Sequence, residues 1–382
     1  MARRLAPLLP ALDVSKADRT VLTRLAETLV THNIEQYNTL VVTKDGVADA
    51  TRWKDIRRKD GFRVYRERQA TTAHGPVTPQ LLMLGTVEGK LEDVMYAAVA
   101  PTDEAMKIKS ACLRDGVLDS KVMYELTAPT VEDPFHHIGV KWRLYDARDY
   151  LTLDATGIAQ SGRLERVGYN LSHSVAFAQV PEFGELHGIE RGNMSVCALY
   201  RQKTPTTVEC YIRGFFDFNS TNDVLSNMAL QTIATQWLSF VRKIECARMK
   251  KLVWKMRKTF RFLRSSRHQC KACEQVVCTR CSVKKAVCVL APDQHSVLKK
   301  KRTFCNRCIA DADASDALCV AREEIASVMN EEEEEDGWGD ILRLSGWSAA
   351  SSASYLPSAM SRHSSVTSIG PRSRFGSSLE VQ

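Results

Sequence analysis

The chain has 382 residues, 44% of them hydrophobic and 26% charged, with a formal net charge of +8. That composition can bury a sizeable core and excludes collagen-like and wholly disordered chains. No apolar run reaches the roughly 18 residues that a bilayer-crossing helix needs.

Cysteine usage narrows the compartment. Seven of the twelve cysteines, Cys270, Cys273, Cys278, Cys281, Cys288, Cys305 and Cys308, fall in one window, while Cys112, Cys197, Cys210, Cys246 and Cys319 stand singly. A disulfide framework would spread them differently, so a reducing cytoplasm is expected. The opening MARRLAPLLP is broken by Pro7 and Pro10, which is too short for a secretory apolar region, and Asp13 and Asp18 argue against a mitochondrial presequence. Charge is polarised along the chain. Nine basic and no acidic residues lie between Arg248 and Arg267, and Glu331 to Asp336 is an unbroken acidic run.

In chain order, Ser15 and Asp18 form a capping signal before a helix through TVLTRLAETLV, with Leu22, Leu25 and Leu29 at helical spacing. From Trp53 the signal turns to strand, and the Asp60-Gly61 turn before FRVYRER predicts a hairpin. PQLLMLGTVEG predicts a strand, KLEDVMYAAV a short helix, and PTDEAMKIKSACL a second helix capped by Thr102. IGVKWRLY alternates Ile138, Val140, Trp142 and Leu144 with Gly139, Lys141, Arg143 and Tyr145, which predicts a strand with one buried face. RDYLTLDATG, GYNLSHSVAFAQV, GNMSVCALYRQ and TTVECYIRGFFDF continue an antiparallel meander. A long helix follows, capped by Asn222 or Asp223, with Val224, Met228, Ile233, Trp237, Val241 and Ile244 as its apolar face. The fold class is α+β: a curved sheet laid on a long C-terminal helix, with space between them for an apolar ligand.

This order of elements resembles the START lipid-binding fold, a helix-grip architecture, over residues 1–250. The resemblance rests on Trp53 with GFRVYRER, on GTVEGKLEDVMYAAV, on LDSKVMYEL, on IGVKWRLYDARDY and on the closing helix. It implies a lipid in a cavity, and the residues point to no enzymatic activity. His136, His137 and His173 are isolated in strands, and the chain has neither a nucleophile elbow nor a phosphate-binding glycine loop.

Beyond the long helix come three C-x-x-C hooks: Cys270/Cys273, Cys278/Cys281 four residues on, and Cys305/Cys308 twenty-three residues further. Paired thiolates at that spacing point to zinc. RHQCKACEQVVCTRCSVKKA resembles the second part of a FYVE zinc finger, and residues 269–312 are read as that module. The resemblance implies that Cys270 and Cys273 share an ion with Cys305 and Cys308. It also leaves Cys278 and Cys281 without partners, because Trp254 and Arg257 stand where a first hook belongs. Either that second ion is lost, or Cys288, His295 or His268 complete it, or the three pairs form a different single site. Zinc is expected at one ion per chain, or two if such ligands exist. The family's phosphoinositide patch survives in Arg267, His268, Lys271 and a displaced Arg302, whereas Ser266, Gln269 and Glu274 depart from it.

Residues 251–268 place Trp254, Lys255, Arg257, Lys258 and Phe260 in a basic aromatic segment. It suits either an interfacial membrane helix or a continuation of the long helix. Nucleic-acid binding ranks below both, because the stretch is short. Residues 313–330 predict a helix, and 331–382 an acidic, serine-rich disordered tail in which GWGDILRL could dock a protein partner. The expected function is a cytoplasmic lipid-binding protein, peripheral on endosomal or other anionic membranes. The alternative is a zinc-dependent interaction scaffold, RING-like or otherwise, without a lipid ligand.

Overall fold

The computed structural model describes residues 4–43, 45–68, 80–162, 165–218, 223–259, 269–293, 296–333 and 367–368. Arg267, His268, Phe260, His295 and the GWGDILRL motif lie outside the described residues, as do the side chains of the acidic run.

Helix α1 (Lys16–Asn38) starts as its cap predicts: the Asp18 amide donates to Ser15 Oγ at 3.1 Å, and that hydroxyl donates to Asp18 Oδ2 at 2.8 Å. Strands β1 (Trp53–Lys59) and β2 (Phe62–Glu67) are joined at Asp60 and Gly61, both at positive φ, 47° and 81°. That is the twist a tight hairpin requires. Strand β3 (Gln80–Glu88), helix α2 (Leu91–Ala98) and helix α3 (Asp103–Leu113) follow, the last with the Ala105 amide on Thr102 Oγ1 at 3.2 Å.

The meander comprises β4 (Asp119–Thr127), β5 (His137–Leu144), β6 (Arg148–Gln160), β7 (Arg166–Ala176), β9 (Asn193–Thr204) and β10 (Thr207–Asp217). A short helix α4 (Gly184–His187) and strand β8 (Glu190–Arg191) interrupt it before β9. The strand order β1-β2-β3-β10-β9-β7-β6-β5-β4 is antiparallel at every step, with β8 beside β6 and a tail strand β13 (Thr367–Ser368) beside β7. The first hairpin and the meander thus meet at β3 and β10, so one sheet runs through the whole domain.

Helix α1 covers one face of this sheet through Leu22, Ala26, Val30 and Ile34. Helices α2 and α3 and the C-terminal helix cover the other, which we call the grip face. Every residue of β5 is buried, so the expectation of a single buried face is corrected. Ile138, Val140, Trp142 and Leu144 belong to the core on the α1 side, and alternation turns His137, Gly139, Lys141 and Arg143 to the grip side. Helix α2 lies close on β7 at Gly168, where a Cβ would stand 2.6 Å from Met95 Sδ and 2.9 Å from Leu91 Cδ1. Its C-terminal carbonyls are capped by lysines from three elements. Lys250 donates to Tyr96 O at 2.6 Å, Lys109 to Ala98 O at 3.1 Å, and Lys141 to Ala100 O just past the helix at 2.7 Å.

The C-terminal helix is not one run. Helix α5 (Asp223–Trp237) passes through a 3-10 segment, Leu238–Arg242, into helix α6 (Lys243–Thr259). Its fully buried stripe is Leu230, Ala234 and Leu238, with Ile233, Trp237 and Val241 partly buried, whereas Met228 faces solvent at 62% exposure. In the 3-10 segment Phe240 stacks on Tyr200 at 5.4 Å and meets Phe62 at 5.7 Å. The helix grips the sheet through these rings.

Strands β11 (Ser282–Leu290) and β12 (Val297–Cys305) form a separate antiparallel ribbon, followed by helices α7 (Asn306–Ala314) and α8 (Ala317–Glu333). The single helix expected after Cys308 breaks at Ser315 and Asp316. Val287, Cys288, Phe304, Ala312 and Ala321 join the same apolar core as α2 and α6.

Candidate functional site

Two constellations carry chemistry. The first sits on the grip side of β5 and β6, where charged side chains are shut away from water. Arg143 and Asp154 are only 8% and 4% exposed. Arg143 Nη1 donates to Asp154 Oδ1 at 3.1 Å and to Thr152 Oγ1 at 3.0 Å, and its Nη2 meets the other carboxylate oxygen. Thr152 Oγ1 donates to Asp154 Oδ1 at 2.8 Å, and Lys141 Nζ lies 4.0 Å from Oδ2. The register explains the grouping: Lys141 is opposite Thr152, and Asp154 lies two residues along the same face.

Electrostatics here follow from burial. Burial pushes the Lys141 amine down to about 7, opposed by Asp154. Burial would raise the Asp154 carboxyl, but Arg143 and then Lys141 hold it well below the usual range. His137 is pushed down to about 4 by burial and by neighbouring Lys141, with Glu125 3.5 Å away working the other way. The imidazole is therefore neutral at neutral pH. His173 rests 3.0 Å from Ser195 Oγ, and His136 Nδ1 is 3.4 Å from Tyr169 Oη. The three histidines thus have separate surroundings and do not converge on one point.

Sequence reading missed Lys141, Arg143, Thr152 and Asp154 as a group. The available signal was that charges alternate with large apolar residues inside a strand flanked by apolar strands, which places them indoors rather than in solvent.

The second constellation is the thiol cluster. The sulfurs of Cys270, Cys273, Cys305 and Cys308 all lie within 4.8 Å of one another, with Cys273 and Cys305 at 3.9 Å. Tetrahedral zinc with bonds of about 2.3 Å separates its sulfurs by about 3.8 Å, so the donor set fits the ion. The Cys305 amide donates to Cys270 Sγ at 3.2 Å and the Cys308 amide to Cys305 Sγ at 3.3 Å. Burial raises the Cys270 thiol, but the amides of Cys305, Ala272 and Cys273 outweigh it and bring it to about 7. Such bonds favour thiolate. The backbone turns at Glu274, which has φ 57° and donates its amide to Cys270 O at 2.8 Å.

Cys278 and Cys281 are exposed and stand outside this group. Cys288 is buried in the core beside Cys112 of α3, so it does not turn toward them. Among the expected headgroup residues, Lys271 is half-buried with its amide on Thr303 O at 2.9 Å, and Arg302 sits opposite Lys285 on the ribbon.

In the described part of the basic aromatic segment, residues 251–259, several side chains are taken up by contacts within the protein. Trp254 is buried and donates its Nε1 to Glu323 at 3.0 Å, and Lys258 pairs with the same carboxylate. Lys255 lies 3.6 Å from Asp311, Arg248 3.4 Å from Asp313, and Lys251 2.6 Å from Asp93. Arg257 lines a 20 Å³ cavity with Lys109, Lys250 and Glu324, room for about one water. Helices α7 and α8 thus clasp the basic face, and residues 251–259 continue the long helix as part of α6.

No protein-family model matches the chain, and no curated protein matches it. Among solved structures it is similar to human StAR-related lipid transfer protein 5, with 12% identity, a TM-score of 0.42, and coverage of 59% of this chain and 98% of that one. It is also similar to human STARD10, with 13% identity, a TM-score of 0.37 and coverage of 54% and 77%. The lipid transfer and protein localization domain of human StarD13 gives 13% identity, a TM-score of 0.33 and coverage of 49% and 88%. At these scores the likenesses carry no argument about ligand or activity.

Proposed function

We propose that the chain is a non-enzymatic lipid-binding protein whose grip face holds an amphipathic lipid, polar end toward Lys141, Arg143 and Asp154. The carrying observation is that charged cluster: burying two cations and one carboxylate under the helix layer is costly unless a polar partner shares the site. A lipid headgroup supplies such a partner, and the surrounding apolar residues suit its chains. Phe240 and the 3-10 segment lie directly on the sheet, so entry requires that break in the helix to flex.

Zinc in this reading is structural. Cys270, Cys273, Cys305 and Cys308 would supply four thiolates and leave no open coordination position, so the ion would hold the ribbon and α7 without taking part in chemistry. The protein would work from the cytoplasm on endosomal or other anionic membranes.

Native mass spectrometry of the full chain purified from cells tests the reading. A co-purified lipid that is lost in Arg143→Met supports it, whereas lipid-free protein from several hosts supports the scaffold alternative.

A further inference from the structure

The α6 face is occupied, yet the zinc module keeps a strongly basic surface elsewhere. Between Cys278 and Cys308 there are eight basic residues and one acidic residue, Asp293. Lys284, Lys285, Lys299, Lys300 and Lys301 are exposed on the β11–β12 ribbon. Among the described residues none of the five forms an ion pair with a carboxylate, in contrast to Lys251, Lys255 and Lys258 of α6. Val276 and Val283, close by in sequence, expose 78% and 43% of their surface.

The ribbon's register decides what such a surface can read. Lys285, Arg302 and Lys300 fall on one face, while Lys284, Lys301 and Lys299 fall on the other. From Lys299 to Arg302 the strand spans about 10 Å at roughly 3.3 Å per residue. No single phosphate can be reached by side chains that diverge in this way. A plane of negative charge can be, because long lysine stems from both faces reach past the edge of the ribbon.

We propose that the β11–β12 ribbon is the surface by which this protein docks on anionic bilayers, reading charge density rather than one phosphoinositide headgroup, with Val276 and Val283 entering the interface. The exposed valines favour a bilayer over nucleic acid, as does the lack, among the described residues of the ribbon, of an exposed aromatic residue for base stacking. This deepens the membrane part of the proposed function and does not depend on the grip face carrying a lipid.

Sedimentation of the zinc-loaded full chain with vesicles tests it. The vesicles are phosphatidylcholine alone, phosphatidylcholine with phosphatidylserine, and phosphatidylcholine with phosphatidylinositol 3-phosphate matched in surface charge. The two anionic sets should bind within about threefold of each other and lose the protein as salt rises. The triple variant Lys284→Gln/Lys285→Gln/Lys300→Gln should bind on the order of 100-fold more weakly, with zinc content and any co-purified lipid unchanged. Wild-type affinity in a zinc-loaded triple variant overturns the proposal. So does a tenfold or larger preference for the phosphoinositide, or duplex DNA that displaces the protein from vesicles at equal phosphate. The wild-type vesicle comparison needs no variant, so it decides the matter even if the triple variant misfolds. Loss of lipid cargo with vesicle binding intact would count against the grip-face reading alone.

Discussion

Replacing Asp154 by asparagine removes the carboxylate between Arg143 and Lys141 while keeping the side chain's size. The lost partners are two Arg143 contacts and a Thr152 hydroxyl at 2.8 Å, all buried. Breaking a buried, hydrogen-bonded ion pair from one side costs about 3–5 kcal/mol, because the other charge stays inside without compensation. For a unit of this size that corresponds to a fall in Tm of roughly 6–20 °C. Urea unfolding followed by circular dichroism reads the change directly. The sign with pH is fixed as well. Since the carboxyl is held below its ordinary value, its stabilisation is present above the unfolded pKa of about 4 and fades as pH falls further. Asp154→Asn should be insensitive to that acid limb. The double variant Arg143→Met/Asp154→Leu should recover most of the stability, because neither member of the pair is left stranded and Lys141, already pushed down to about 7 by burial, can give up its proton. A loss below about 1 kcal/mol in Asp154→Asn, well under the buried-pair range, would refute the idea that this pair is the electrostatic centre of the grip face.

Three further outcomes follow from the geometry. His137 is pushed down to about 4, while an unfolded histidine sits near 6.5. The unfolded chain therefore binds a proton across that window which the folded chain does not. Its contribution is full above about 6.5 and declines toward pH 4 by about 3 kcal/mol, and His137→Asn should flatten that slope in urea titrations at successive pH values. Zinc measured by plasma mass spectrometry should be one ion per chain, abolished by Cys270→Ser and unchanged by Cys278→Ser/Cys281→Ser. Two ions in the wild type would mean that the exposed pair has ligands of its own. Glu274→Gly should stabilise the zinc module by about 1 kcal/mol, since glycine adopts its φ of 57° without the clash that a Cβ brings. An unchanged or lowered melting transition would contradict that account of the turn.

Local signals in the sequence were sufficient for most of the elements. Ser15, Thr102 and Asp60-Gly61 act within three or four residues, so their caps and turn could be read before any tertiary contact was known. The strand at Ile138 was legible too, but its second face was not. Lys141 and Arg143 look like solvent-facing residues until α2 and α3 are laid over them. The thiol quartet was visible from spacing, and the backbone brings together the four cysteines that the resemblance pairs. The packing of Trp254 was not legible for a reason of range. Its partner Glu323 is 69 residues away, and nothing near Trp254 in sequence announces that acidic helices will close over a basic one. The ribbon of lysines was likewise hidden, because its charge becomes a surface only when β11 and β12 pair.

The most direct test of the central claim is native mass spectrometry of the zinc-loaded full chain expressed in more than one host. The account predicts a mass increment that organic extraction identifies as an amphipathic lipid, present in Cys278→Ser/Cys281→Ser and lost in Arg143→Met. Protein that carries no lipid from any host, and takes none up from vesicles, would contradict it.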